Sequence, residues 1–117
     1  EYALSKLSSD GYKLVVASNS IRSTMEVMMN QSSLMQYLDI MLSSQDVKNG
    51  KPDPEIYNKA IKDINLKPNE CLIIEDNEHG IKAAKDSGAW VMEVDEVDEV
   101  NYHNIQNHIR MIEEQMK

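Results

Sequence analysis

Short apolar runs alternate with amphipathic stretches along this 117-residue chain. The runs at 12–18, 38–44, 71–75 and 90–94 are bounded by turn residues, which predicts short buried strands. Between these runs, apolar residues recur three and four positions apart, as they do on one face of a helix. The pattern predicts helices at 2–9, about 21–31 and about 78–87, and apolar helical stripes at 56–64 and 105–116.

The alternation of strand and helix is typical of an α/β fold with a parallel sheet. The runs are continuously apolar, which fits strands that are covered by helices on both faces. We therefore predict a three-layer, Rossmann-like arrangement. In such sheets ligands bind beyond the carboxyl ends of the strands, so the residues at those ends are the candidates for function.

Composition narrows the classes of function. The net charge of −8 argues against a nucleic-acid partner or an anionic membrane surface, since both attract clustered Lys and Arg. No apolar run approaches the roughly 20 residues of a membrane helix. Cys71 is the single cysteine, so an intrachain disulfide cannot form, and we expect a reducing, cytoplasmic location.

Polar residues with complementary chemistry stand at the predicted strand ends. Ser18 and Asn19 follow the first run, Lys51 opens a Pro-containing loop, and Glu75 and Asp76 close the third run. A hydroxyl and a lysine can bind a phosphate, and two carboxylates can hold Mg²⁺ beside it. Taken singly, these residues have simpler explanations as a helix cap, a turn and a complement to a helix dipole. Their combination at neighbouring strand ends favours a phosphate and cation site.

Three motifs carry a resemblance to a known family. They are LVVASNS at 14–20, GKPDPEIY at 50–57 and CLIIEDNEHGIKAAKDSGA at 71–89. In this order and spacing, the chain resembles the haloacid dehalogenase-like hydrolases, in particular the branch with β-phosphoglucomutase and small phosphosugar phosphatases. The resemblance implies a Mg²⁺-dependent phosphatase or phosphomutase that acts on a small phosphorylated metabolite.

The same resemblance implies a role for each motif residue. Lys51 and Ser18 would be catalytic, and both would bind the phosphate together with Asn19. Glu75 and Asp76 would be the metal-side acids. In the family, an aspartate of a first motif attacks phosphorus to form an aspartyl-phosphate, and that motif has the form Asp-x-Asp.

The chain departs from the family at this first motif, because no Asp-x-Asp occurs in it. The resemblance therefore implies that 1–117 is a single partial core domain with motifs two to four and no cap domain, inactive alone. The family's first-motif strand lies between those matching 12–18 and 71–75. We expect two half-sheets with unpaired inner edges, completed by an N-terminal segment or a second chain. Alternatively, the two inner strands pair directly.

Two other functions compete with the enzymatic interpretation. A degenerate domain could keep the phosphate and metal pocket for binding or regulation without catalysis. A receiver-like signalling domain also has an acidic pocket, but its lysine follows a late strand. Here Lys51 precedes the acidic pair, which disfavours the receiver-like interpretation.

Overall fold

The computed structural model describes residues 2–31, 35–95 and 99–116, in which helices and strands alternate as predicted. The helices and strands are α1 Tyr2–Ser9, β1 Val15–Ala17, α2 Arg22–Gln31, β2 Ile40–Leu42, α3 Glu55–Asp63, β3 Leu72–Glu75, α4 Glu78–Asp86, β4 Trp90–Glu93 and α5 Tyr102–Gln115. Single 3₁₀ turns occur at Met35–Tyr37, Ser44–Asp46 and Pro68–Glu70. Each predicted strand is present, although β1 and β2 have only three residues each.

The four described strands form two separate parallel pairs. In one pair Ala17 of β1 lies opposite Leu42 of β2, and in the other Leu72 of β3 lies opposite Trp90 of β4. Within the described residues β1 does not pair with β3, so the predicted split into two half-sheets is confirmed. The alternative of direct pairing is wrong. Instead of a backbone ladder, the Lys51 side chain connects the carboxyl ends of β1 and β3.

Helices cover both faces of the strands, as the continuously apolar runs predict. On one face α3 and α4 contribute a core that includes Ile56, Ala60 and Ala83, with inward residues of all four strands packed against it. On the other face Leu7 of α1 and Ile105 of α5 pack with residues of β3 and β4. The result is a layer of strands between two layers of helices.

Helix ends follow simple rules of backbone chemistry. Gly88 follows the end of α4 with φ +86°, a left-handed conformation that favours glycine, in line with its predicted C-capping role.

Met116 was expected on the apolar stripe of α5, but this prediction is wrong, since its side chain is 49% exposed at the C-cap. No helix within the described ranges is long and apolar enough to span a membrane.

Candidate phosphate site

The loop that carries Lys51 is held in place by the first residue of α3. The Glu55 carboxylate accepts hydrogen bonds from the backbone N–H of Lys48 at 2.8 Å and of Asn49 at 3.1 Å. These bonds, the one from Lys48 first, lower the pKa of Glu55. Asp53 in turn accepts a bond from the Glu55 backbone N–H at 2.9 Å. The two acids of the loop therefore fix its backbone.

Asn19 attaches the same loop to the end of β1. Its Oδ1 accepts a hydrogen bond from the Lys51 N–H at 3.0 Å, and its Nδ2 donates to the Lys51 carbonyl at 3.4 Å. A Cβ at position 50 would lie 2.8 Å from Asn19 Oδ1, so any larger residue there would force the Asn19 side chain to shift. Asn19 was predicted to bind phosphate. In the structure, the Asn19 side-chain amide holds the backbone of the loop that carries Lys51.

The Lys51 ammonium joins the two half-sheets at their carboxyl ends. Nζ donates to the carbonyl oxygen of Ala17 at 3.0 Å and to Glu75 Oε2 at 2.6 Å. Both side chains of this ion pair are well shielded, with Lys51 11% and Glu75 7% exposed. A charge pair that is removed from water needs such additional hydrogen bonds to offset the loss of hydration.

Tyr57, which lies on α3, contacts the Glu75 carboxylate as well. Its buried hydroxyl donates to the same oxygen, Oε2, that accepts from Lys51. Burial and the neighbouring Glu75 carboxylate raise the pKa of Tyr57 well above its ordinary value. The phenol therefore remains protonated and able to donate at neutral pH.

A cavity of about 360 Å³ opens next to Lys51. It is lined by Ala17, Ser18, Asn19, Ser20, Lys51, Asn77 and His79, from three separate segments of the chain. The Ser18 hydroxyl oxygen accepts a hydrogen bond from the Ser20 N–H at 3.0 Å, so its O–H remains a donor. Asn77 caps α4 by accepting from the Gly80 N–H at 2.9 Å.

The structure places the five predicted site residues in two settings. Ser18, Asn19 and Lys51 line one cavity. Glu75 is buried behind Lys51, whereas Asp76 is exposed and accepts a 3.3 Å bond from the Asn77 amide. Within the described ranges, no group of three or more His, Cys, Asp or Glu side chains is placed to hold a metal ion. The metal and phosphate roles stay predictions.

Sequence reasoning missed two residues of this region. The sequence pattern placed Tyr57 on the apolar stripe at 56–64, and for His79 an exposed position was favoured over a contact with the site. Tyr57 stands six positions after Lys51 within GKPDPEIY. Its hydroxyl donates to a carboxylate 18 residues further along the chain, and the local spacing of apolar residues cannot predict such a contact. His79 is indeed exposed, yet it lines the cavity because the first turn of α4 follows directly on β3.

Comparisons with known proteins identify the family of the chain. The family model described as "Haloacid dehalogenase-like hydrolase" matches residues 1–94. A pyrophosphatase PpaX of Bacillus mycoides is 33% identical over 89 residues, which is 76% of this chain and 41% of the relative. A phosphorylated carbohydrates phosphatase of Thermotoga maritima is 35% identical over 86 residues, covering 74% of this chain and 40% of the relative. The matched part of the chain thus covers less than half the length of these relatives.

A solved structure shows the same architecture. The β-phosphoglucomutase of Clostridium difficile superposes with a TM-score of 0.81 over 94% of this chain and 54% of its own, at 24% identity. At 24% identity, this structural similarity shows the fold alone. It confirms the predicted α/β, Rossmann-like core.

Proposed function

Because the chain belongs to the haloacid dehalogenase-like hydrolases, we propose that it is the phosphate-binding part of a phosphate-transfer enzyme core. The convergence of Lys51 and Ser18 on one cavity at the carboxyl ends of parallel strands carries this proposal. The complete protein would hydrolyse or isomerise a small phosphorylated metabolite in the cytoplasm, through an aspartyl-phosphate. Two relatives with phosphatase names support this class of reaction.

Phosphate binding would use donors from both half-sheets. An ammonium group has three N–H donors, and the contacts of Lys51 with Ala17 and Glu75 account for two. The third donor is available to an anion in the cavity. The Ser18 hydroxyl supplies a further donor, whereas the N–H groups of Ser18 and Ser20 already donate to the Leu42 carbonyl and to Ser18 Oγ. The ammonium and the hydroxyl would stabilise the negative charge that develops on the transferred phosphoryl group.

The acidic pair fits Mg²⁺ as a partial ligand set. Mg²⁺ is commonly bound through one or two carboxylates, with phosphate oxygens and waters completing its shell. Asp76 is exposed beside the cavity-lining Asn77, and Lys51 and Tyr57 both donate to Oε2 of the Glu75 carboxylate. We propose that Asp76 and Glu75 Oε1 hold the metal. When bound, Mg²⁺ would neutralise phosphate charge.

The nucleophile would come from a strand outside these 117 residues. Within the described part of the chain, β1 and β3 each pair along one edge. A strand that ends in Asp-x-Asp, from a preceding segment or a second chain, would pair with the two inner edges. Its aspartate would then lie between Ser18 and Glu75, next to the Lys51 ammonium. Residues 1–117 would be a partial core domain without a cap.

A non-catalytic phosphate-binding role is the second candidate. The absence of Asp-x-Asp from this sequence favours it for the chain by itself. Both candidate functions need the same cavity, and a measurement of phosphatase turnover distinguishes them. If the chain binds phosphate and gains phosphatase activity when the missing strand is supplied, the result supports the enzymatic function. Binding that never leads to turnover supports the regulatory role.

The direct test is a titration of the isolated chain with inorganic phosphate. We expect Ser18→Ala to weaken binding about tenfold or more, since a hydrogen bond to a charged group is lost. Ser44→Ala is the matched control, because Ser44 follows the neighbouring strand β2 but does not line the cavity. Equal affinities of both variants and the unmodified chain would contradict the proposed site.

A further inference from the structure

The Glu75 carboxylate is enclosed by groups from three segments of the chain. Its Oε2 accepts from the Tyr57 hydroxyl of α3 and from Lys51 Nζ at 2.6 Å. From a third direction α4 approaches so closely at Gly80 that any Cβ there would overlap the carboxylate. The carboxylate is thus held by two donors and by packing, rather than by Lys51 alone.

Tyr57 contacts both members of the ion pair. Lys51 Nζ lies 4.9 Å from the centroid of the Tyr57 ring, within the range of a cation–π interaction. The Tyr57 side chain belongs to a residue that is 7% exposed and packs in the core under β1 and β2. A rigid core residue therefore presents its ring to the ammonium and its hydroxyl to the carboxylate.

The direction of the remaining Lys51 donor depends on this arrangement. Two contacts, to Ala17 and to Glu75, orient the ammonium, and Lys51 lines the cavity. The Ala17 carbonyl is fixed by the pairing of β1 with β2. The Glu75 carboxylate ends a side chain with three rotatable bonds, so it needs a separate restraint to keep the ammonium in place.

We propose that Tyr57 is a positioning residue for Lys51. Its hydroxyl fixes the Glu75 carboxylate, and the carboxylate fixes the ammonium that faces the anion cavity. The inference rests on the proposed function, in which that cavity binds phosphate. Tyr57 does not line the cavity itself, so its effect on phosphate passes through Glu75 and Lys51.

A double-mutant cycle tests this coupling. The variants are Tyr57→Phe, Glu75→Gln and their combination, and the readout is the dissociation constant for inorganic phosphate without added metal. Tyr57→Phe should weaken binding about three- to tenfold, because the Glu75 carboxylate that orients the ammonium loses one of its two donors. In the Glu75→Gln background the same change should alter affinity less than about twofold, because the group through which Tyr57 acts is already changed.

Tyr102→Phe is the matched control. Its hydroxyl also donates to a carboxylate, Asp10 Oδ2, at 2.7 Å, but this pair links α5 to the segment after α1. Phosphate affinity should be unchanged in this variant. Thermal melts of all variants verify that the fold is kept. Tyr57→Phe retains the aromatic ring in the core, so we expect this variant to fold. As a second measurement, the ¹⁵N ammonium signal of Lys51 should be visible in the unmodified chain and broadened in Tyr57→Phe.

The outcomes separate this inference from the proposed function. Phosphate binding that Tyr57→Phe leaves unchanged, with an unaltered Lys51 signal, overturns the positioning role and leaves the phosphate site intact. An equal loss in both backgrounds also overturns it, because Tyr57 would then act as a general stabiliser. If the unmodified chain does not bind phosphate at all, both proposals fail.

Discussion

Two lysine–carboxylate pairs in this molecule have nearly the same geometry and opposite surroundings. Lys51 lies 2.6 Å from Glu75, and Lys82 lies 2.7 Å from Asp86. The first pair is 11% and 7% exposed, whereas the second is 64% and 45% exposed on the surface of α4. Distance alone therefore does not distinguish a structural anchor from a solvated surface contact.

The two lysines also border different cavities. Lys82 lines an open space of about 570 Å³ together with Lys48, and Lys51 lines the smaller one of about 360 Å³. The larger cavity has two lysines, but the Lys82 side chain is 64% exposed, so its strongly hydrated ammonium is not held by buried partners. We assign the phosphate site to the smaller cavity because its lysine is oriented by fixed partners. Orientation by fixed partners, rather than the number of lysines or the volume of the cavity, therefore identifies the binding group.

Replacing one member of each pair should give the largest contrast. Lys51→Met leaves the buried Glu75 carboxylate without its cation, and we expect a loss of about 3 kcal/mol or more in unfolding free energy. Lys82→Met should cost less than about 0.5 kcal/mol, since exposed pairs contribute little. Urea unfolding of both variants measures the difference. Similar losses for the two would remove the basis of the comparison.

A methyl group at Gly80 should disturb the buried pair from another side. Alanine in a helix is ordinarily more stable than glycine by about 0.5–1 kcal/mol. At this position the added Cβ would overlap the Glu75 carboxylate, so we expect Gly80→Ala to destabilise by about 1–3 kcal/mol. Lys85→Ala on the exposed face of α4 is the control and should change stability little. A stabilising Gly80→Ala would show that the carboxylate is not enclosed as described.

The N-caps of α4 and α5 offer a third, smaller contrast between the site and the rest of the fold. Asn77 accepts from the Gly80 N–H and Asn101 from the Asn104 N–H, each at 2.9 Å. Replacing either by alanine should cost about 1 kcal/mol. Only Asn77→Ala should also weaken phosphate binding, because only Asn77 lines the small cavity. Parallel melts and phosphate titrations check both effects, and a loss of affinity in Asn101→Ala would contradict the assignment.

Ionic strength should produce the smallest effect. Raising NaCl from 0.1 M to 1 M shortens the screening length from about 10 Å to about 3 Å. The slight destabilisation by Lys82→Met should then vanish, while that by Lys51→Met should persist, because buried pairs are screened much less. Unfolding at the two salt concentrations checks this. Equal salt sensitivity of both variants would argue that Lys51 and Glu75 are solvated.

Much of the fold could be predicted because it follows from local pattern. Within the described residues, the apolar runs located the four strands and the helical patterns located the five α-helices. The predicted lengths were less accurate, since the run at 12–18 includes Tyr12 and Lys13, which are exposed, and Ser18, which forms a turn. Only Val15–Ala17 pairs with β2, and pairing depends on the partner strand rather than on hydrophobicity.

The site could be predicted only in outline. The rule that ligands bind at strand ends brought Ser18, Lys51 and the acidic pair together. It could not show that Glu75 turns toward Lys51 while Asp76 faces solvent, because Asp76 lies beyond the end of β3, where strand alternation no longer fixes the direction of a side chain. It also could not show that Tyr57 reaches Glu75, because that contact depends on how α3 packs against the strands.

The central claim is that an anion binds beside the anchored Lys51, and a ¹H–¹⁵N NMR titration of the unmodified chain with inorganic phosphate tests it most directly. We predict saturable shifts of the backbone signals of Ser18, Ser20 and Lys51, with signals near Lys82 unchanged. Saturable shifts at Lys48 and Lys82 instead, or no saturable shifts at all, would contradict the account.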